Sequence, residues 1–162
     1  MSPDAVASGV VVPLARTKRA ELASLAKESN SMLRALQAES RAEERATPDA
    51  DFVILLVEAP FDAGLAPLPD LRDRVGAALA LAANEGDARV AVQAARKHLR
   101  SAGAALGARE LVLTDAQFGV MGLEDDSARE KLEILLRTLV LDAERLRLRR
   151  EGWEEPERRE SV

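Results

Sequence analysis

The sequence predicts a mainly all-α domain, a bundle of five or six helices with long helices near its amino and carboxyl ends. Three observations lead there. Apolar residues recur at helical spacing over most of the chain. Aromatic residues are few: Phe52, Phe61, Phe118 and Trp153, with no Tyr. A core of Leu, Ala and Val suits helix-on-helix packing better than a sandwich of strands. Third, Ser127 to Arg150 carries a full set of helix signals. Ser127 and Glu130 have the spacing of a capping box, and Leu132, Leu135, Leu136, Leu139, Val140 and Ala143 fall on one face. The alternative fold is α/β or α+β, with a small sheet using residues 52–57 and 110–114.

In chain order, residues 1–13 carry Pro3, Gly9 and Pro13 and read as a flexible arm, with room for a short strand at Val10 to Val12. Residues 14–150 read as a single helical domain. Its first helix runs from Leu14 to about Ala46, with Leu22, Leu25, Ala26, Leu33 and Leu36 on one stripe and Ser29 inside it. Thr47, Pro48 and Asp49 have the order of an N-cap, a first-turn proline and a first-turn acid. They favour a helix through Phe52 to Val57, although this apolar run also has the length of a buried strand.

Phe61 to Pro69 reads as a loop. A helix follows from about Asp70, with Leu71, Val75, Ala78 and Leu79 inward and Asn84 to Gly86 as its C-cap. Asp87 caps the next, with Ala91, Ala95 and Leu99 inward and Gly107 at its end. Arg109 to Thr114 is either a strand or an apolar connection to a short helix ending before Gly122. Residues 151–162 are a charged tail with Trp153 as an apolar anchor.

Composition narrows the function. A net charge of −5 argues against whole-molecule attraction to nucleic acid or anionic membrane. The chain has no cysteine and a single histidine, His98, which excludes thiolate chemistry, disulfides and multi-histidine metal sites. The first residues lack the basic start of an export signal and no stretch has transmembrane length, so a cytoplasmic protein without membrane contact is expected. No cofactor, metal or catalytic motif is present. Carboxylates such as Glu130 and Glu133 are dispersed and sit where caps and solvated helix faces place them.

The leading expectation is therefore a non-enzymatic structural, scaffold or adaptor protein that self-associates or docks a protein partner. Its interface would use Ile134, Leu141 and Leu148, which recur every seven residues behind the core face of the last helix, together with Trp153. One alternative is a DNA-binding regulator with a helix-turn-helix over residues 87–117, contacting nucleic acid through Arg89, Arg96, Lys97 and Arg100. A second is a small enzyme that relies on carboxylates.

Overall fold

The computed structural model describes residues 6–152. Three apolar stretches that lack alternation, Val10 to Val12, Phe52 to Val57 and Val75 to Ala82, are neighbouring strands at the centre of a parallel sheet covered on both faces. Such strands need apolar residues at every position, because neither face meets water. In chain order the elements are β1 (Ser8–Leu14), α1 (Arg19–Ala35), β2 (Glu39–Ala42), β3 (Phe52–Glu58), β4 (Val75–Ala82), α2 (Glu85–Ser101), β5 (Glu110–Thr114), β6 (Phe118–Gly119), β7 (Gly122–Leu123) and α3 (Asp126–Arg150). The five long strands lie in the order β2-β1-β3-β4-β5, all parallel, while β6 and β7 form a small antiparallel hairpin.

Period-two alternation sorts the side chains of β3. Phe52, Ile54 and Leu56 face a core shared with Leu22, Leu25 and Leu33 of α1 and Leu132, Leu136 and Leu139 of α3. Val53, Leu55 and Val57 face the opposite core, built with Ala91, Val92, Ala95 and Leu99 of α2. The β2–β3 and β3–β4 connections hold no α-helix and complete this second layer with Ala46, Ala50 and Leu71. Pro13 lies beyond the last β1–β2 pair, Val11 with Ala42, where a residue without an N–H leaves no β2 acceptor unmatched.

The all-α bundle is thus overturned, and so is the division of residues into helices on which it rested. Residues 52–57 and 110–114 are both strands, but β4 stands between them. β4 reads as helix because its sequence is rich in Ala and Leu, good helix formers. It needs small residues because the β4–β5 connection packs tightly against it: a Cβ added to Gly76 would lie 2.9 Å from Leu106 Cδ2. The expected arm over residues 1–13 contains most of β1, whose residues Val10 to Val12 are buried.

The first helix ends at Ala35 rather than near Ala46. Gln37 adopts the left-handed conformation (φ 64°), and the amides of Gln37 and Ala38 bond back to the carbonyls of Arg34 and Leu33. This is a Schellman stop without its usual glycine, so the sequence hides it. Asn84 is the N-cap of α2, accepting from the Asp87 amide at 2.8 Å, and not the C-cap of a preceding helix. Likewise Asp125 caps α3 by accepting from the Ala128 amide, in place of Ser127.

Two ion pairs, each with one buried partner, Arg109 in one and Asp51 in the other, fasten the layers. Arg109, on the approach to β5, donates to Asp142 of α3 and to the carbonyls of Gly76 and Ala105. Asp51, just ahead of β3, accepts from the Ser8 amide at 2.9 Å and from the Arg150 guanidinium at the end of α3. Among the described residues no helix is long and apolar enough to cross a membrane.

Candidate functional site

The chain leaves β1 towards β2 but leaves β3 towards β4, so the winding direction reverses between these two central strands. Loops that follow β1 and β3 therefore part on opposite faces of the sheet. The crevice they leave at the strands' carboxyl ends is the place where open parallel sheets take ligands.

At this point three consecutive backbone amides, of Arg16, Thr17 and Lys18, converge just ahead of α1. Successive N–H groups of this kind form an anion-binding concavity, reinforced by the positive end of the helix that follows. The anion here is supplied by the chain itself. Glu58, the last residue of β3, places Oε1 at 2.8, 2.8 and 2.9 Å from the three nitrogens, and Oε2 at 2.5 Å from the Thr17 hydroxyl, which donates to it. Glu58 is only 6% exposed. Its burial alone would raise the carboxyl pKa. The hydrogen bonds from the Thr17 hydroxyl and from the amides of Lys18, Arg16 and Thr17 outweigh that effect and bring it from 4.5 down to about 2.

Beside the Glu58 carboxylate a cavity of about 490 Å³ opens at the ends of β3 and β4. Its walls are mainly apolar, from Ala59, Pro60, Phe61, Ala82, Val90 and Ala91, and its polar lining residues include Thr17, Lys18 and Asp87. The Phe61 ring packs beside α2, its centre 5.8 Å from that of the His98 ring. His98 Nε2 is also 2.5 Å from the Ala66 carbonyl, fastening the β3–β4 connection to α2. Lys18 pairs with Asp115 at 2.8 Å, and this hydrogen bond holds its ammonium above the ordinary pKa. A larger cavity of about 670 Å³ lies away from these strand ends, between α1 and the β6–β7 hairpin.

The residues expected as interface or nucleic-acid contacts are not gathered at this crevice. Ile134 and Leu141 are exposed on the outer side of α3, at 53% and 55%, and Leu148 is half-buried. Trp153 lies outside the described residues. Arg89 pairs with Glu85 on the outside of α2, and Lys97 and Arg100 are exposed. Arg96 is buried: it donates to the carbonyls of Gly107 and Arg109 and lies 3.4 Å from Glu110. The expected recognition helix is the strand β5, so residues 87–117 form no helix-turn-helix. The carboxylates with displaced pKa values, Asp49, Glu58 and Asp70, are all shifted down, which suits anion-holding contacts rather than a proton-donating role at neutral pH. Among the described residues no His, Asp or Glu cluster could hold a metal ion.

Sequence reasoning missed Glu58, Thr17 and Phe61. Backbone amides leave no mark in a sequence. The one available signal was an acid closing an otherwise apolar strand.

No family model matches the chain, and no curated protein matches it by sequence. Solved structures do. The chain is similar to a short-chain flavodoxin associated with a non-canonical PDU bacterial microcompartment, at 18% identity over 85% of this chain and 99% of that one, with a TM-score of 0.65. It is similar to an NADH:FMN oxidoreductase in its apo form, at 14% identity over 93% and 92%, TM-score 0.68. A Streptococcus pneumonia flavodoxin gives 18% identity over 83% and 99%, TM-score 0.63. The fold is flavodoxin-like. The expectations of a non-enzymatic scaffold or adaptor and of a DNA-binding regulator are corrected accordingly: the all-α bundle and the helix-turn-helix they were built on are replaced by a parallel α/β sheet, and the similar structures are flavodoxins and a flavin oxidoreductase.

Proposed function

We propose that this chain, with its flavodoxin-like fold, is a flavin-related redox protein that holds a planar ring system of the flavin type at the carboxyl ends of β3 and β4. One observation carries the reading. The cavity of about 490 Å³ lies next to the point where the winding reverses, with apolar walls, an aromatic ring and a few polar groups. That is the position, size and lining expected of a cofactor or small-molecule site.

FMN, the flavin in the name of one similar oxidoreductase, fits this site in part. Its ring system suits the walls formed by Phe61, Pro60 and Val90. Its phosphate does not suit the amides of residues 16–18, which the Glu58 carboxylate already occupies. When bound, a flavin ring supplies the capacity to accept and return electrons. The chain's own part is to flank the ring with Phe61 and to keep water from its apolar face.

Titration with riboflavin, followed by flavin fluorescence, tests the proposal. Saturable quenching is expected from the wild type. Phe61→Ala is expected to weaken binding about tenfold, the loss of about 1.4 kcal/mol of ring contact. Absence of saturable quenching by riboflavin, with the fold intact by circular dichroism, overturns it.

A cytoplasmic setting is part of the same proposal, and self-association through the outer side of α3 is a separate one. Ile134→Glu combined with Leu141→Glu should leave the chain folded, since both residues lie on the outer side of α3 with 53% and 55% of their surface exposed. Light scattering should show the double variant at the mass of one chain and the wild type above it. A wild type at single-chain mass removes the self-association proposal.

A further inference from the structure

We propose that Glu58 is an internal plug that excludes phosphorylated ligands, so that the site selects the phosphate-free form of whatever occupies the adjoining cavity. The ligand class rests on the flavin reading above; the exclusion of phosphate does not.

The concavity ahead of α1 has the features of a phosphate site: three amides in sequence, a hydroxyl donor, and the start of a helix of 17 residues. In this chain its donors are committed. A single oxygen, Glu58 Oε1, accepts from all three amides, and Oε2 accepts from Thr17. A phosphate reaching the same donors would have to displace a buried carboxylate or lie against it. Both carry negative charge, and two anions in one poorly solvated site oppose each other.

The plug is held from both sides. Glu58 ends β3, whose pairing with β4 continues through Glu58 and Leu81. Arg16, which supplies the first amide, also donates its guanidinium to the Pro60 carbonyl at 2.8 Å, tying the loop before α1 to the turn after β3. The carboxylate therefore occupies this position because two backbone segments put it there, and the cavity begins where it ends, with Thr17, Lys18 and Glu58 all on its wall.

The experiment compares the full-length wild type with Glu58→Ala and Glu58→Gln, using inorganic phosphate, riboflavin and FMN as probes in calorimetric titrations. For the wild type, no phosphate binding and a preference for riboflavin over FMN are expected. In Glu58→Ala the vacated amides should take inorganic phosphate, and the ratio of FMN to riboflavin affinity should rise at least tenfold. Wild-type binding of inorganic phosphate, or a wild-type preference for FMN, overturns the plug. So does a folded Glu58→Ala protein whose FMN to riboflavin ratio is unchanged. If no protein binds either flavin but Glu58→Ala gains phosphate, the plug stands and the flavin reading falls. Should Glu58→Ala fail to fold, amide resonances of Arg16, Thr17 and Lys18 in the wild type decide: they should not shift on adding phosphate, and a saturable shift overturns the plug.

Discussion

Glu58→Gln should lower stability by about 3 kcal/mol at pH 7, and the difference from wild type should close as the pH falls from 5 towards 2. The magnitude follows from the depression of the carboxyl pKa from 4.5 to about 2, at about 1.4 kcal/mol for each unit. The direction follows from which state binds the proton more tightly. Below 4.5 the unfolded chain takes up a proton at Glu58 while the folded chain does not, so folding becomes progressively less favourable. The full contribution is present above the unfolded value and is gone once the folded carboxyl is also protonated, near pH 2. Glutamine keeps the shape, carries no charge to lose, and points an N–H₂ group towards groups that are themselves donors. Urea unfolding of both proteins across this pH range measures the difference directly, and cancels the carboxylates common to both. A gap that stays constant with pH would mean that the hydrogen bonds stabilise the side chain without holding its charge.

Gly9→Ala should cost about 3 kcal/mol, at the upper end of what overpacking causes. Gly9 pairs with Phe52 across the β1–β3 ladder, and the Phe52 ring lies over the glycine, so that an added Cβ would come within 2.2 Å of Cδ1 and 2.3 Å of Cε1. Phe52 is fully buried against α1 and α3 and has nowhere to retreat. The aromatic ring over a glycine in the neighbouring strand is a known way of pinning sheet register. If that contact is the cause, the double variant Gly9→Ala with Phe52→Leu will be less destabilised than the two single changes added together, a coupling that a double-mutant cycle in urea detects. Strict additivity would place the cost elsewhere in β1.

The sequence disclosed α3 almost to the residue, because one of its faces is buried and the other is wet, which is what periodicity reports. The central strands failed on the same ground. β3 and β4 are covered on both faces, so their apolar residues show no period, and the Ala-rich stretch from Val75 to Ala82 carries the propensity of the wrong element. Ile134 and Leu141 lie off the core face of α3, where the seven-residue spacing puts them, while Arg96, expected to face nucleic acid, is buried and spends its donors on the carbonyls of Gly107 and Arg109. The candidate site was the least visible part. It consists of three main-chain amides, a carboxylate 40 to 42 residues away in sequence and a turn at Pro60, and only the fold brings these together.

The Asp51 carboxylate has a mechanical consequence. One of its oxygens takes the amide of Ser8, the first residue of β1, and the other takes the guanidinium of Arg150, the last residue of α3. The start of the first strand and the end of the last helix among the described residues are thus buckled to one side chain, and the path between them closes on itself like a belt. Tension applied between residues 8 and 150 would load this buckle before it sheared any strand from its neighbour. A chain cut elsewhere and rejoined across that short span would keep its strand order.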